Sequence, residues 1–205
     1  MDTFTYPKPG KEPFNTPESE MRAAWDSKLK PIETRYRGYL CRSRLEARWM
    51  VFLDHLGIDF EYELEGFDLP NGQRYLPDLW LPKIKHWAEV KPAEFTAEER
   101  SKAVWLALAS QCPILLLIGV PGFKVYDSLI PCYSKDDSGA VIEALGVMES
   151  TELLDIDYHC RRYYNQERRL YGNPGEDFSA PECFTPQYRD AVFASRSARF
   201  EGVKS

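Results

Sequence analysis

Residues 113–120, PILLLIGV, form a continuous apolar run of the kind found in a β-strand buried on both faces. A strand like that belongs in an α/β domain, and the residues before it supply the remaining parts. Along residues 42–58, RSRLEARWMVFLDHLGI, the apolar Leu45, Trp49, Phe52, Leu53 and Leu56 recur at helical spacing. Phe60, Tyr62 and Leu64 then alternate with Glu61, Glu63 and Glu65, which predicts a half-buried strand over 58–65. Asn71-Gly72 suits a turn from that strand into a second one over 74–80, and a third carries Glu89 and Lys91. Thr96 with Glu99 forms a capping box that opens a helix running to about Ser110. The expected order is helix, three antiparallel strands, helix, strand.

Side chains alternate along a strand, so Glu89 and Lys91 point one way while Ala88 and Val90 turn toward a core. With Asp78 at the end of the preceding strand, two carboxylates and an ammonium converge, a set suited to a divalent metal. Each residue taken singly has a plainer reading. Glu89 and Lys91 read as a solvated cross-strand ion pair. Asp78, after Pro77, reads as the start of a turn, and Glu46, three residues after Ser43, as part of a helix cap.

Taken together, Pro77-Asp78 and Glu89-Val90-Lys91, with ten residues between them, resemble the signature of the PD-(D/E)xK nuclease superfamily. With the element order, the resemblance covers residues 36–126. RSRLEARW, then a strand, YLPD and EVK are similar to a group of such domains met in phage and prophage proteins. The resemblance implies a restriction-endonuclease-like α/β core with N- and C-terminal helical additions. It also implies a catalytic set of Glu46, Asp78, Glu89 and Lys91. Asp78, Glu89 and the Val90 carbonyl would hold Mg²⁺ or Mn²⁺, Glu46 would ligate directly or through water, and Lys91 would position the attacking water.

The formal net charge of -6 and pI near 5.2 argue against nonspecific coating of DNA, so local patches must carry any binding. Arg35, Arg37, Arg42, Arg44 and Arg48 lie among Tyr36, Tyr39 and Trp49, a mix suited to phosphates and stacked bases. Lys102 is a phosphate contact on one reading and a surface lysine on the plainer one. Thr185-Pro186 opens a helix through Phe200 that carries Arg189, Arg196 and Arg199 near one face. Such runs serve as a basic wall along a nucleic-acid groove or as solvated helix faces.

The 205 residues, 43% hydrophobic, allow one domain with appendages: an N-terminal arm and helix over 1–30, the nuclease-like core over 31–130, and a C-terminal extension over 131–205. In the first, Pro7, Pro9 and Pro13 suit an extended arm, and Thr16-Pro17 opens a helix with Met21, Trp25 and Leu29 on one stripe. Past the core, the pattern predicts an edge strand over 123–129, a turn at 136–139 and a short helix over 140–148. A further helix is expected over 159–172. The terminal helices are the expected surfaces for a homodimer or protein partner.

Five cysteines, an odd number without regular spacing, suit a reducing compartment, and no leader or membrane-length run appears, so a cytoplasmic location is expected. A zinc set of Cys132, His159, Cys160 and Cys183 lacks CxxC spacing. His55, His86 and His159 read as surface or core residues. The expected function is metal-dependent hydrolysis of DNA phosphodiester bonds by an endonuclease or nickase of phage or mobile-element origin. Alternatives are a non-catalytic nucleic-acid-binding or protein-interaction module on the same fold, and an inhibitor acting through its acidic surface.

Overall fold

Among the described residues seven strands form one mixed sheet, with the apolar run near its middle. The computed structural model describes residues 31–70, 72–153, 161–163 and 184–200. In order these form β1 (Thr34–Tyr36), β2 (Tyr39–Cys41), α1 (Arg44–Leu56), β3 (Glu61–Tyr62), β4 (Phe67–Asp68), β5 (Arg74–Tyr75), β6 (Leu79–Leu81) and β7 (His86–Lys91). Then follow α2 (Ala97–Ser110), β8 (Ile114–Ile118), β9 (Tyr126–Lys135), β10 (Val141–Leu153), β11 (Arg161–Tyr163) and α3 (Pro186–Ser197). The sheet order is β11-β10-β9-β8-β7-β6-β3. Only β7 and β8 pair in parallel, and α2 is the crossover that a parallel pair requires.

The apolar run explains the layering. Leu115 and Leu117 of β8 join Ala88 and Val90 of β7 in one core, filled by Trp49, Phe52 and Leu53 of α1 and by Tyr188, Ala191 and Val192 of α3. Ile114 and Leu116 face the other way with Trp87, against Ala103, Leu106 and Ala107 of α2. The sheet is therefore covered on both faces, and the fold is mixed α/β. Both helix starts follow local chemistry: Ser43 Oγ accepts from Glu46 N at 3.2 Å, and Thr96 and Glu99 close a full capping box.

Elsewhere tertiary pairing overrules the local pattern. The strand expected over 58–65 shrinks to β3, because Glu63 takes φ 46, a left-handed conformation that ends the extended run and leaves Leu64 exposed. The Gly72 turn exists, with its N–H on Leu69 O at 2.8 Å, but it joins β4 to β5 in a separate hairpin. The segment expected over 74–80 is correspondingly split between β5 and β6.

The expected edge strand over 123–129 is instead β9, ten residues long and flanked by β8 and β10. Asp136 Oδ1 accepts from Ser138 N and Ala140 N at 2.9 Å each, and Gly139 sits at φ 85, so the predicted turn forms and reverses the chain. The helix expected over 140–148 is thereby replaced by β10, whose register slips between Ala144 and Gly146. Gly146, at φ 121, suits a strand irregularity and would weaken a helix.

β11 occupies 161–163, where the start of a helix was expected, and the rest of that segment lies outside the described residues. α3 begins as expected, with Thr185 capping Tyr188 N at 3.2 Å, and ends at Ser197 rather than Phe200. The expected arm and helix over 1–30, and His159, Cys160 and Cys183 of the zinc set, also lie outside the described residues. Among the described residues no helix is long and apolar enough to cross a membrane.

Candidate metal centre

The β6–β7 ladder pairs Leu79 with Ala88, so the register continued by one residue sets Asp78 opposite Glu89. Both carboxylates are buried, at 3% and 4% exposure, at the end of β7 that leads to α2. Lys91 Nζ lies 2.8 Å from Glu89 Oε1, so these two side chains share a face as strand alternation requires. The same ammonium is 3.7 Å from Oε1 of Glu99, whose other oxygen closes the α2 capping box. Val90 contributes its N–H, which donates to Asp78 Oδ2 at 2.7 Å, while its side chain packs in the core.

Asp78 Oδ1 is held by the Arg42 guanidinium at 2.6 Å, and Arg42 Nε reaches Glu63 Oε1 at 2.7 Å. Glu89 Oε2 is buried with no hydrogen-bond partner among the described residues. Burial first, and the Glu89 charge second, push the Asp78 carboxyl up to about 8, against the pull of the Val90 N–H and Arg42. Burial works to lower the Lys91 pKa, but Glu89, Asp78 and Glu99 outweigh it and the ammonium is favoured. Burial and then the Glu89 charge raise the Tyr75 phenol well above its ordinary value. Tyr75 thus borders the carboxylates from the β4–β5 hairpin.

Glu46 is buried near this group but otherwise engaged. Its Oε1 accepts from Ser43 Oγ at 2.7 Å, and its Oε2 from Tyr62 Oη at 2.6 Å and Arg42 N at 3.0 Å. Among the described residues no group of three or more His, Cys, Asp or Glu is arranged to hold a metal ion. Asp78 and Glu89 are the two carboxylates that the β6–β7 register sets opposite each other. Two mutually repelling buried carboxylates with one unpaired oxygen suit a hard divalent cation, so these residues fit Mg²⁺ or Mn²⁺.

The basic residues divide by what they already do. Arg35 and Arg44 are exposed and form no ion pair among the described residues. Arg37 is paired with Asp54, which also accepts from Tyr36 Oη at 2.6 Å. Arg48 donates to the carbonyls of Ser195 and Arg196 at 2.5 and 2.6 Å, pinning the end of α3 to α1. Arg196 Nε is bound to Pro121 O at 2.9 Å, and Lys102 pairs with Glu98 at 2.7 Å along its own helix. Arg35 and Arg44 are thus two of the cations expected to meet phosphate that make no ion pair among the described residues. The pattern of residues did not reveal Arg42 as the partner of Asp78, nor Tyr62 and Tyr75 as neighbours of the acids. Glu99 was visible only as a cap.

The Asp78 environment has a consequence for stability. A carboxyl whose folded pKa lies above its unfolded value of about 4 stabilises the fold fully below that value and loses the contribution as pH rises through about 8. Metal-free protein should therefore melt at progressively lower temperature as pH is raised from 5 to 9, and Asp78→Asn should flatten that decline. Thermal midpoints across this range check it; an undiminished slope in the variant would assign the decline to other groups.

No family model, curated protein or solved structure matches the chain. The site's geometry and chemistry have to carry the functional reading.

Proposed function

We propose that the chain is a metal-dependent nuclease with a restriction-endonuclease-like core, cutting DNA phosphodiester bonds as an endonuclease or nickase. The observation that carries this reading is the convergence of Asp78, Glu89 and Lys91 at one strand end, with a buried Glu89 oxygen left unpaired. The order α1, β3-β6-β7, α2, β8 supports it. Asp78 and Glu89 would hold Mg²⁺ or Mn²⁺. When bound, the ion offsets charge building on the phosphoryl oxygens and lowers the pKa of its water.

The chain's own groups do the rest. Lys91, favoured as the ammonium, donates to the scissile phosphate and orients the attacking water rather than taking its proton. Glu99, fixed by Thr96, keeps that ammonium aimed along the strand end. Arg35 and Arg44 offer exposed cations to the DNA backbone on a chain whose formal net charge is -6. A phage or mobile-element origin and a cytoplasmic location belong to the same proposal.

Incubating purified protein with supercoiled plasmid and with linear DNA, in Mg²⁺, in Mn²⁺ and in chelator, tests the reading. Nicked or linearised plasmid should appear only with an ion present. A non-catalytic binding module is the second reading, favoured by the hold of Arg42 on Asp78, which balances the acid without a metal. Intact DNA in both ions, together with no measurable ion binding, would favour that module and end the nuclease proposal.

A further inference from the structure

Arg42 stands where a cation is needed. Its guanidinium binds Asp78 Oδ1 at 2.6 Å and Glu63 Oε1 at 2.7 Å, so one of the two carboxylates proposed for metal binding already has a counterion from the chain itself. The two ends of this residue are held differently. Its backbone N–H is anchored on Glu46 Oε2 and Tyr62 Oη, both at 3.0 Å, whereas its side chain is 55% exposed. The guanidinium can therefore leave Asp78 by side-chain rotation alone, with the backbone still fixed. Glu63, at φ 46 and tied by its N–H to Asp78 O at 3.0 Å, holds its largely covered carboxylate against Arg42 Nε as the second anchor.

We infer that Arg42 is a built-in competitor of the divalent ion for Asp78, released from that carboxylate when the ion binds. The inference rests on the metal site proposed above and adds a coupling to it. A released guanidinium remains beside the site as an unpaired planar cation, the form suited to bidentate contact with a phosphate diester. The same residue thus holds Asp78 until the ion displaces it, and becomes available to substrate only then. Premature loading of substrate without metal is disfavoured by the same contact.

The test is ion binding without DNA, by calorimetric titration of Mg²⁺ and Mn²⁺ into the full chain, with thermal melts to verify folding. Arg42→Gln should bind either ion about tenfold more tightly, since the ion no longer breaks a charged contact of about 1.4 kcal/mol. Removing any nearby positive charge would help a cation, so Glu63→Gln is the deciding variant. Loss of a negative charge should weaken ion binding on simple electrostatic grounds, yet loosening one anchor of Arg42 should strengthen it. Tighter binding by Glu63→Gln supports the competition, and the variant also carries the test if Arg42→Gln fails to fold. Equal or weaker binding by Glu63→Gln overturns the competition while leaving the metal site in place. Absence of binding in the unsubstituted chain and in every folded variant removes both the competition and the metal reading beneath it.

Discussion

Asp78→Asn and Glu89→Gln should each abolish Mg²⁺ binding and reduce DNA cleavage by at least about a hundredfold, whereas Lys91→Ala should keep the ion and lose turnover. The difference follows from what each group supplies. The two acids bring the negative charge and oxygen donors that a hard cation requires, and they are buried where water cannot replace them. Glu89→Gln also turns the unpaired oxygen into part of an amide and leaves Lys91 without its nearest counterion. Lys91 repels a cation, so its removal cannot weaken ion binding by loss of a ligand. Its loss is felt only when charge develops on the phosphate. Calorimetry and plasmid cleavage on the same preparations separate the two effects. Near-normal cutting by either acid variant, with contaminating nuclease excluded, would mean that Asp78 and Glu89 are not the active site.

What was legible in the sequence is what depends on neighbours along the chain. The α1 and α2 starts follow from Ser43 and Thr96, whose hydroxyls find backbone N–H groups three residues on. β8 was visible because an uninterrupted apolar run has no solvent face to show. The shared face of Glu89 and Lys91 follows from strand periodicity and needed no tertiary information. β10 was not legible, since its residues carry no decisive local preference and become a strand by pairing with β9 across the Asp136 turn. The β4–β5 hairpin was hidden for a related reason. Only the left-handed Glu63 reveals that the chain leaves the sheet after Tyr62.

At the site the same boundary applies. Arg42 and Asp78 are separated by 36 positions, and no local pattern reports that the entrance to α1 lies against the start of β6. Arg42 was therefore read as a phosphate contact when its present partners are carboxylates. The tyrosines were equally opaque, because Tyr62 alternation announces burial but not the Glu46 oxygen its hydroxyl meets.

Glu46 gives the sharpest separation between a structural and a metal-binding role. Glu46→Ala should destabilise the fold by roughly 2–4 kcal/mol, because the Tyr62 hydroxyl, the Ser43 hydroxyl and the Arg42 N–H all lose their acceptor in a largely buried setting. Glu46→Gln should cost less, since an amide keeps one acceptor oxygen but turns a donor toward one of these donors. Ion affinity should stay within about threefold of the unsubstituted chain in Glu46→Gln, a shift of less than 1 kcal/mol. The reason is that both Glu46 oxygens are already committed to the cap and to Tyr62, while the ion's charge is met by Asp78 and Glu89. Denaturant unfolding gives the first quantity and Mg²⁺ titration well below the melting temperature gives the second. A Glu46→Gln protein that stays folded but no longer binds Mg²⁺ would return Glu46 to the ligand set that the sequence resemblance implies, with its contacts to Ser43 and Tyr62 serving to orient it toward the ion.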